Sequence, residues 1–446
     1  MLADQGAMSV VSNNIANVNT PGYTREVASL TEAPPVTYGN LQYGTGVSLD
    51  GIQSVRDNVL QLRLNQEMQN QGKLNTLSNG MNQVQTLFNE PAGSGLQSLL
   101  SQFFGSFEQL SSDPTNPGLR QSAISAAQSL AADFHQTASA LSTQQQDANQ
   151  AVVQTVLQIN QLTAQIAQVN GQMASAGGTG QNTNTLLDQR SELIQQLSQL
   201  VDVQSITTGG NGLTLTTSAG AELVVGNQSF SLQTQTNPAT GFQDVFSQGA
   251  DVTSSVQSGS LAADLQLRDQ QIPSILNNLD TLANGIATSV NAQNAAGYDL
   301  SGAAGGNIFV PPTGVAGSAL NLAVAITDPA KIAASGDGTP GNNANATALA
   351  NLQNQNIVSG QSPVAYYSGL VFQVGNAAAT ASSQLSGENL LVQQIQDQIN
   401  AVSGVSIDEE GANLILFENA YNAAARVAGV VASLYKTAIN MGTPTG

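Results

Sequence analysis

From Ile124 to Met173 the chain sets down a seam residue at alternating steps of three and four. The seam reads Ile124, Ala127, Ala131, Phe134, Ala138, Leu141, Gln145, Ala148, Val152, Thr155, Ile159, Leu162, Ile166, Val169 and Met173. Only Gln145 and Thr155 are not apolar. A heptad sustained for so long predicts helix packing along a seam, and at 1.5 Å per residue a rod roughly 75 Å long. The flanking positions are mostly Gln, Ser and Thr, so salt bridges beside the seam cannot choose its partner.

Shorter helical patterns surround the rod. Leu74, Leu77, Met81, Val84 and Phe88 keep the same spacing, and Ile52, Val55, Val59 and Leu62 predict an earlier seam. Leu96, Leu99, Phe103, Phe107 and Leu110 form another, which Pro114 and Pro117 end in a corner. After "GGTGQ", Gly177 to Gln181, a further helix is expected over Asn184–Val201 with Leu186, Leu193, Leu197 and Leu200 on one face. The period changes to two over Gly212–Leu232, with Gly and Asn punctuation, as in strands and hairpins. Helical spacing returns from Leu261 to about Ala292. Leu320, Leu322, Val324 and Ile326 predict a second strand-like segment before the Gly/Asn-rich "SGDGTPGNNANAT", and the chain reads as helix again from Tyr367.

Both ends carry apolar stripes. Met1, Met8, Val11, Ile15 and Val18 share one register in which Asp4 is the exception. Leu414, Phe417, Tyr421, Ala424, Ala428, Val431, Tyr435 and Ala438 share another. Such helices can pair with each other or with neighbours in an assembly, or be two ordinary core helices. The first stripe stops at "SNNIANVNTPGYTRE". There Pro21 presets φ at the second position of a β-turn and Gly22 tolerates the positive φ that a type II turn needs next. Asn13, Asn14 and Asn17 are expected to satisfy backbone groups at this corner or on neighbouring subunits.

Composition narrows the function. The 446 residues suffice for two to four domains, at about 100–200 residues each. Only 9% of residues are charged, against about 25% in a typical soluble protein. A polar but nearly neutral surface suits subunits that pack against copies of themselves, because little charge need be buried. The net charge is −19, with ten scattered basic residues, so a nucleic-acid footprint and attraction to an anionic membrane are both excluded. There is no cysteine, which removes disulfides, thiolate catalysis and Cys-type zinc sites. No apolar window is long enough to insert in a membrane, and the first residues lack the basic and apolar regions of a cleavable secretory signal.

No catalytic, cofactor or metal constellation emerges. His135 follows Phe134 on the rod and reads as a solvated helix-face residue. "GGTGQ" lacks the Lys and Ser/Thr of a phosphate-binding loop and reads as a linker. Asp408–Glu410 is the densest acidic cluster, but acids in a first helical turn complement the helix dipole. Tyr23, Tyr421 and Tyr435 read as packing residues with a wet hydroxyl. A carboxylate-only glycan hydrolase would need two carboxylates flanking a cleft, and 4% aromatics without Trp predict no aromatic-lined one.

"NNIANVNTPGY", Asn13 to Tyr23, resembles the N-terminal signature of bacterial flagellar axial proteins of the rod, hook and hook-associated types. Further stretches resemble the hook-associated protein 1 (FlgK) family. They are "DPTNPGLRQSAISAAQSLAADF" (Asp113–Phe134), "TLLDQRSELIQQLSQLV", "GSLAADLQLRDQQIPSILNNLDTLANGIATSVNAQNAAGYDLSG" (Gly259–Gly302) and "SGVSIDEEGANLILFENAYNAAARV" (Ser403–Val427). In that family a further run of apolar and small residues stands ahead of the position of Met1, which implies a late or truncated start.

The resemblance implies a structural subunit without catalysis, exported through the flagellar type III channel and assembled at the distal end of the hook. Its implied partners are copies of itself, the flagellar hook protein, the next hook-associated junction protein and an export chaperone at the C-terminus. The implied fold is mainly α with inserted β domains: terminal coiled-coil helices lining a channel, a long helical-bundle stem, and outer β-rich domains. Its expected divisions are 1–50 (terminal coiled coil and turn), 51–204 (stem), 205–258 (β-rich insertion) and 259–303 (return helix). After these come 304–366 (second strand-containing segment), 367–402 (stem helix) and 403–446 (terminal coiled coil). The expected assembly interface comprises Met8, Val11, Asn13, Asn14, Ile15, Asn17, Val18, Pro21, Gly22 and Tyr23 with Leu414, Phe417, Tyr421, Ala424, Ala428, Val431 and Tyr435. A hook- or rod-type axial protein is the nearest alternative.

Overall fold

The computed structural model describes residues 1–89, 95–179, 181–208 and 212–441. Gly180 of the expected linker and the last five residues of the expected C-terminal division lie outside these. The rod is one uninterrupted helix, α4 (Pro117–Gly178). It starts where Asn116 caps the first turn, its side-chain oxygen accepting from Gly118 N at 2.9 Å and Leu119 N at 3.3 Å. Pro117 supplies the preset φ of a first helical residue.

Two cores form along α4. The first gathers α2 (Asn58–Thr86), α3 (Leu96–Ser112), the first half of α4, α7 (Ile272–Ala295), α8 (Ala344–Asn351) and α9 (Pro363–Ser403). Its centre is aromatic: Phe103 meets Phe104, Phe107 and Phe309 at ring-centroid separations of 5.0, 5.3 and 5.5 Å. Tilted and edge-on contacts of this kind align the positive ring edge with a negative face. The second core begins at Val152 and packs the rest of α4 against α5 (Asn184–Leu200), α6 (Gly259–Gln266) and two small sheets.

Those sheets are antiparallel. One is the meander β5 (Gln204–Thr208), β6 (Gly212–Thr216), β7 (Glu222–Val225) and β8 (Gln228–Ser229). The other is β9 (Leu232–Thr236), β10 (Gln243–Ser247) and β11 (Ala250–Asp251). Leu213, Leu215, Leu223 and Val245 point into the core, as the period-two pattern requires. One turn of π-helix, Leu267–Gln271, separates α6 from α7. It presents the buried Arg268 to Asn149 of α4 at 3.0 Å and to the Gln243 carbonyl, tying the outer sheet to the rod.

Two sequence expectations fail. Leu320 and Asn321 lie in a turn, and the stretch from Leu322 to Ile326, with both of those residues buried, makes only the single bridge Phe309↔Val324. Side chains of α7 tie this region down in place of a sheet. Asn291 accepts from Ile308 N and Phe309 N, both at 2.9 Å, and Asp280 accepts from Gly317 N and Ala319 N, both at 2.8 Å. Secondly, residues 26–54 form strands where a turn and the start of a helical seam were expected. They are β1 (Glu26–Glu32), β2 (Val36–Tyr38), β3 (Leu41–Tyr43) and β4 (Val47–Ser54). Ile52 lies on β4, Val55 lies between β4 and α2, and Val59 and Leu62 are exposed, so no helical seam starts there. The cause is local: these ribbons have only two strands, and a register shift at Ser29/Leu30 breaks the alternation.

Candidate assembly interface

The chain's two ends meet. Helix α1 (Leu2–Ala16) packs on one side against α10 (Ile407–Met441) and on the other against β1 and β4. Asn14 near the end of α1 reaches Glu410 at the start of α10, so the helices run antiparallel. The α1 residues buried here are Ala3, Ala7, Val10, Val11 and Asn14. Met8, Ile15 and Val18 of the expected stripe are half-buried instead. Small residues take the inner seam because they let the helix and the ribbon approach closely; Leu49 of β4 lies directly over Gly6.

On α10, Leu414, Phe417, Tyr421 and Ala424 are half-buried, whereas Ala428, Val431 and Tyr435 are exposed. Helix lengths explain the change. The 15 residues of α1 span about 22 Å at 1.5 Å per residue, and the 35 of α10 about 52 Å.

The corner after α1 is a hydrogen-bonded knot. Tyr23 N donates to Thr20 O at 3.2 Å, closing a turn with Pro21 and Gly22 at its centre, and Gly22 has φ +76°. That combination is the type II turn that the two residues demand. Asn17 donates to the Asn13 carbonyl at 3.0 Å and holds the frayed helix end. Asn14 bridges three elements: Nδ2 donates to Glu26 O at 2.8 Å and Glu410 Oε2 at 3.1 Å, while Oδ1 accepts from Glu26 N at 3.0 Å. The Tyr23 hydroxyl donates to the same Oδ1 at 2.8 Å and accepts from Asn13 at 3.3 Å. Burial, reinforced by Glu26, Asp188 and Glu410, pushes the Tyr23 phenol up to about 12, so it stays a donor at neutral pH.

Residues outside the expected set join this knot to the stem. Thr24 Oγ1 donates to Asp188 Oδ1 at 2.6 Å, and Arg56 pairs with the same carboxylate. Burial raises the Asp188 carboxyl and lowers the Arg56 guanidinium, so desolvation opposes both charges and the pair depends on its hydrogen bonds. Asn184 holds Glu26 Oε1 at 2.8 Å, and Arg25 pairs with Glu409 at 2.7 Å while its backbone N–H donates to Ser403 O at 2.9 Å. Asp408–Glu410 thus occupies the first turn of α10, as the dipole argument expects, and two of its members also fasten the corner. No periodicity signals Thr24, Arg56, Asn184 or Asp188, because their partners lie up to 164 residues away.

His135 is exposed on α4, with Nδ1 bonded to the Leu320 carbonyl at 2.7 Å. Among the described residues no group of three or more His, Cys, Asp or Glu could hold a metal ion, and no helix is long and apolar enough to cross a membrane.

Comparison with known proteins gives one consistent result. Residues 81–309 match the family model of the flagellar hook-associated protein FlgK helical domain, and residues 1–24 match that of the flagella basal body rod protein. Flagellar hook-associated protein 1 of Bacillus subtilis is 30% identical, over 98% of this chain and 96% of its own. The Salmonella typhimurium protein of the same name is 26% identical over 98% of both chains. The solved structure of the flagellar hook junction protein FlgK from Burkholderia pseudomallei has a TM-score of 0.68 at 20% identity. It covers 76% of this chain and 100% of that one, which shows a shared fold.

Proposed function

The chain belongs to the flagellar hook-associated protein 1 (FlgK) family, and from that premise we propose how it works as a structural subunit joining hook to filament in the bacterial flagellum. Its place is the hook–filament junction, where it acts by assembling with copies of itself. The helix pair α1–α10 and its corner form the inner assembly element, and α4 with its two cores forms the stem around it. Met8, Val11, Ile15 and Val18 with Leu414, Phe417, Tyr421, Ala424, Ala428, Val431 and Tyr435 supply the apolar contacts. The knot from Asn13 to Tyr23 sets the angle at which the stem leaves the pair. The partners on either side are the hook protein and the next junction protein, and an export chaperone takes the C-terminal segment before assembly. Catalysis has no part in this reading.

The observation that carries it is the state of α10, a 35-residue helix in which only Glu410 is buried. An apolar helix this exposed needs other chains to cover it. The test is to image the tagged chain in flagellated cells and to delete its gene. Signal at the hook–filament boundary is expected, with hooks that lack filaments in the deletion strain. Filaments that remain attached to hooks without this chain would overturn the reading. A turnover assay on peptidoglycan checks the absence of catalysis, and released glycan fragments would contradict it.

A further inference from the structure

A second unpartnered apolar surface stands apart from α10. In the β2–β3 hairpin Val36 faces Tyr43 and Tyr38 faces Leu41, so all four side chains share one side of the ribbon, while Thr37 and Gln42 take the other. The four are exposed, Tyr38 at 82%. A two-stranded hairpin is marginal in water, and one with a single bare apolar face gains most from a surface that covers it. From Ala33 to Leu49 the chain carries no ionisable group other than Tyr hydroxyls, so covering the face desolvates no full charge.

Helix α10 has a matching surface, and it is not the one turned to α1. Leu416, Ala420, Ala423, Val427, Val430 and Leu434 repeat at steps of four and three, displaced about 100° around the helix from the Leu414–Tyr435 seam. All six are exposed, and Leu416 is bare even beside the first turns, where α1 is docked. Charge distinguishes this surface further. Beyond Glu418, α10 has no acidic residue and two exposed cations, Arg426 and Lys436, in a chain of net charge −19. The exposed Glu32 stands at the ribbon's outer end next to the hairpin, and the exposed Asp50 lies further along β4 at the register shift. Neither surface covers the other within one chain, since both are exposed.

We infer that the β2–β3 hairpin of one copy docks on the Leu416–Leu434 seam of α10 in a second copy. The occupant is a second copy because the chain carries both halves: an uncharged face with an acid beside it, and an apolar seam with cations beside it. Two different patches meeting in this way make a heterologous contact, which leaves a free hairpin and a free seam at the ends and so continues from copy to copy. The inference rests on the self-assembly reading above and names the surfaces that carry it.

The absence of cysteine makes the test direct. A full-length Tyr38→Cys/Leu434→Cys chain replaces the parent in flagellated cells, and isolated hook–filament structures are oxidised. A ladder of disulfide-linked multimers is expected, with each single variant giving monomer only. Dimers from Leu434→Cys alone would mean that α10 meets α10, and dimers from Tyr38→Cys alone that hairpin meets hairpin; either overturns the inference. A link within one chain overturns it too. Monomer only, with the chain present in the isolated structures, overturns the docking and leaves the self-assembly reading intact. Absence of both the variant and the parent chain from those structures removes that reading as well.

Discussion

Along α4 the residues of the three-four seam lie inside the chain's own cores, save the half-buried Gln145 and Leu162. Along α10 the same spacing runs past the end of α1 into solvent. Gln145 even so finds a partner, the Arg268 carbonyl at 2.7 Å. The two helices show that periodicity announces a seam without saying whether its partner belongs to the same chain. Where it does, burial stabilises the monomer; where it does not, the helix relies on intrinsic propensity. Here that comes from its many alanines, with the remaining stabilisation deferred to assembly.

Substitutions of similar severity should therefore separate the two helices. Phe134→Ala empties a fully buried site of the first core and should cost about 3–5 kcal/mol, seen as a large drop in the urea midpoint. Leu434→Asp, on the exposed end of α10, should leave monomer stability within about 0.5 kcal/mol of the parent and abolish incorporation at the hook. Tyr421→Asp should behave like Leu434→Asp in assembly. A Leu434→Asp chain that unfolds in isolation would break the distinction, because α10 would then contribute to a monomer core.

The knot between the regions should give an intermediate effect. Asp188→Ala leaves Arg56 partly buried without its carboxylate and Thr24 without its acceptor, and should cost about 2–3 kcal/mol locally. The loss should loosen the terminal pair and spare the stem. Trypsin should then cut at Arg25 at least several-fold faster, while fragments covering α4 persist. Equal acceleration of cleavage across the stem would show that knot and core unfold as one unit.

How far the sequence foretold this division depends on whether neighbours along the chain or across it determine each element. The rod, the turn at Pro21–Gly22 and the strands between Gly212 and Leu232 were legible, because each is dictated by local spacing or a local φ preference. The ribbons of residues 26–54 were not, since bare two-stranded hairpins carry no clean alternation. The Leu320–Ile326 segment alternates like a strand, but Asn291 and Asp280 of α7 hold its surroundings without a sheet. At the candidate interface the Asn-rich corner could be read as a place where side chains satisfy backbone. Its bonds to Glu410, Asn184 and Asp188 could not, because they join residues far apart in sequence. The inner seam of α1 fell on Ala3, Ala7 and Val10, where close approach favours small side chains over the larger Met8 and Ile15.

The last prediction tests what enclosure does to charge in the stem. Asp264 on α6 is buried beside α4, where Thr155 donates to it at 3.4 Å and Asp147 shares the same polar cleft. Burial raises its carboxyl to about 7, which the Thr155 bond only partly offsets. The folded state thus holds this proton more tightly than the unfolded chain does. Stability should fall as pH rises from the ordinary Asp value towards 7, then level off. Glu388, pushed up to about 7 by burial and by Glu67 facing it from α2, titrates in the same window in both proteins and cancels when they are compared. Asp264→Asn keeps the shape and an acceptor for Thr155 but cannot ionise. It should match the parent near pH 4 and exceed it at pH 8 by up to about 4 kcal/mol, at about 1.4 kcal/mol per pKa unit, read from urea unfolding at the two pH values. Asp408→Asn on the exposed first turn of α10 loses only a favourable dipole contact and should have the opposite sign, a loss of about 0.3–1 kcal/mol at neutral pH. A gain from Asp264→Asn that did not grow with pH would mean that water reaches this carboxylate, and that the stem is less closed around α6 than α4 and its seam imply.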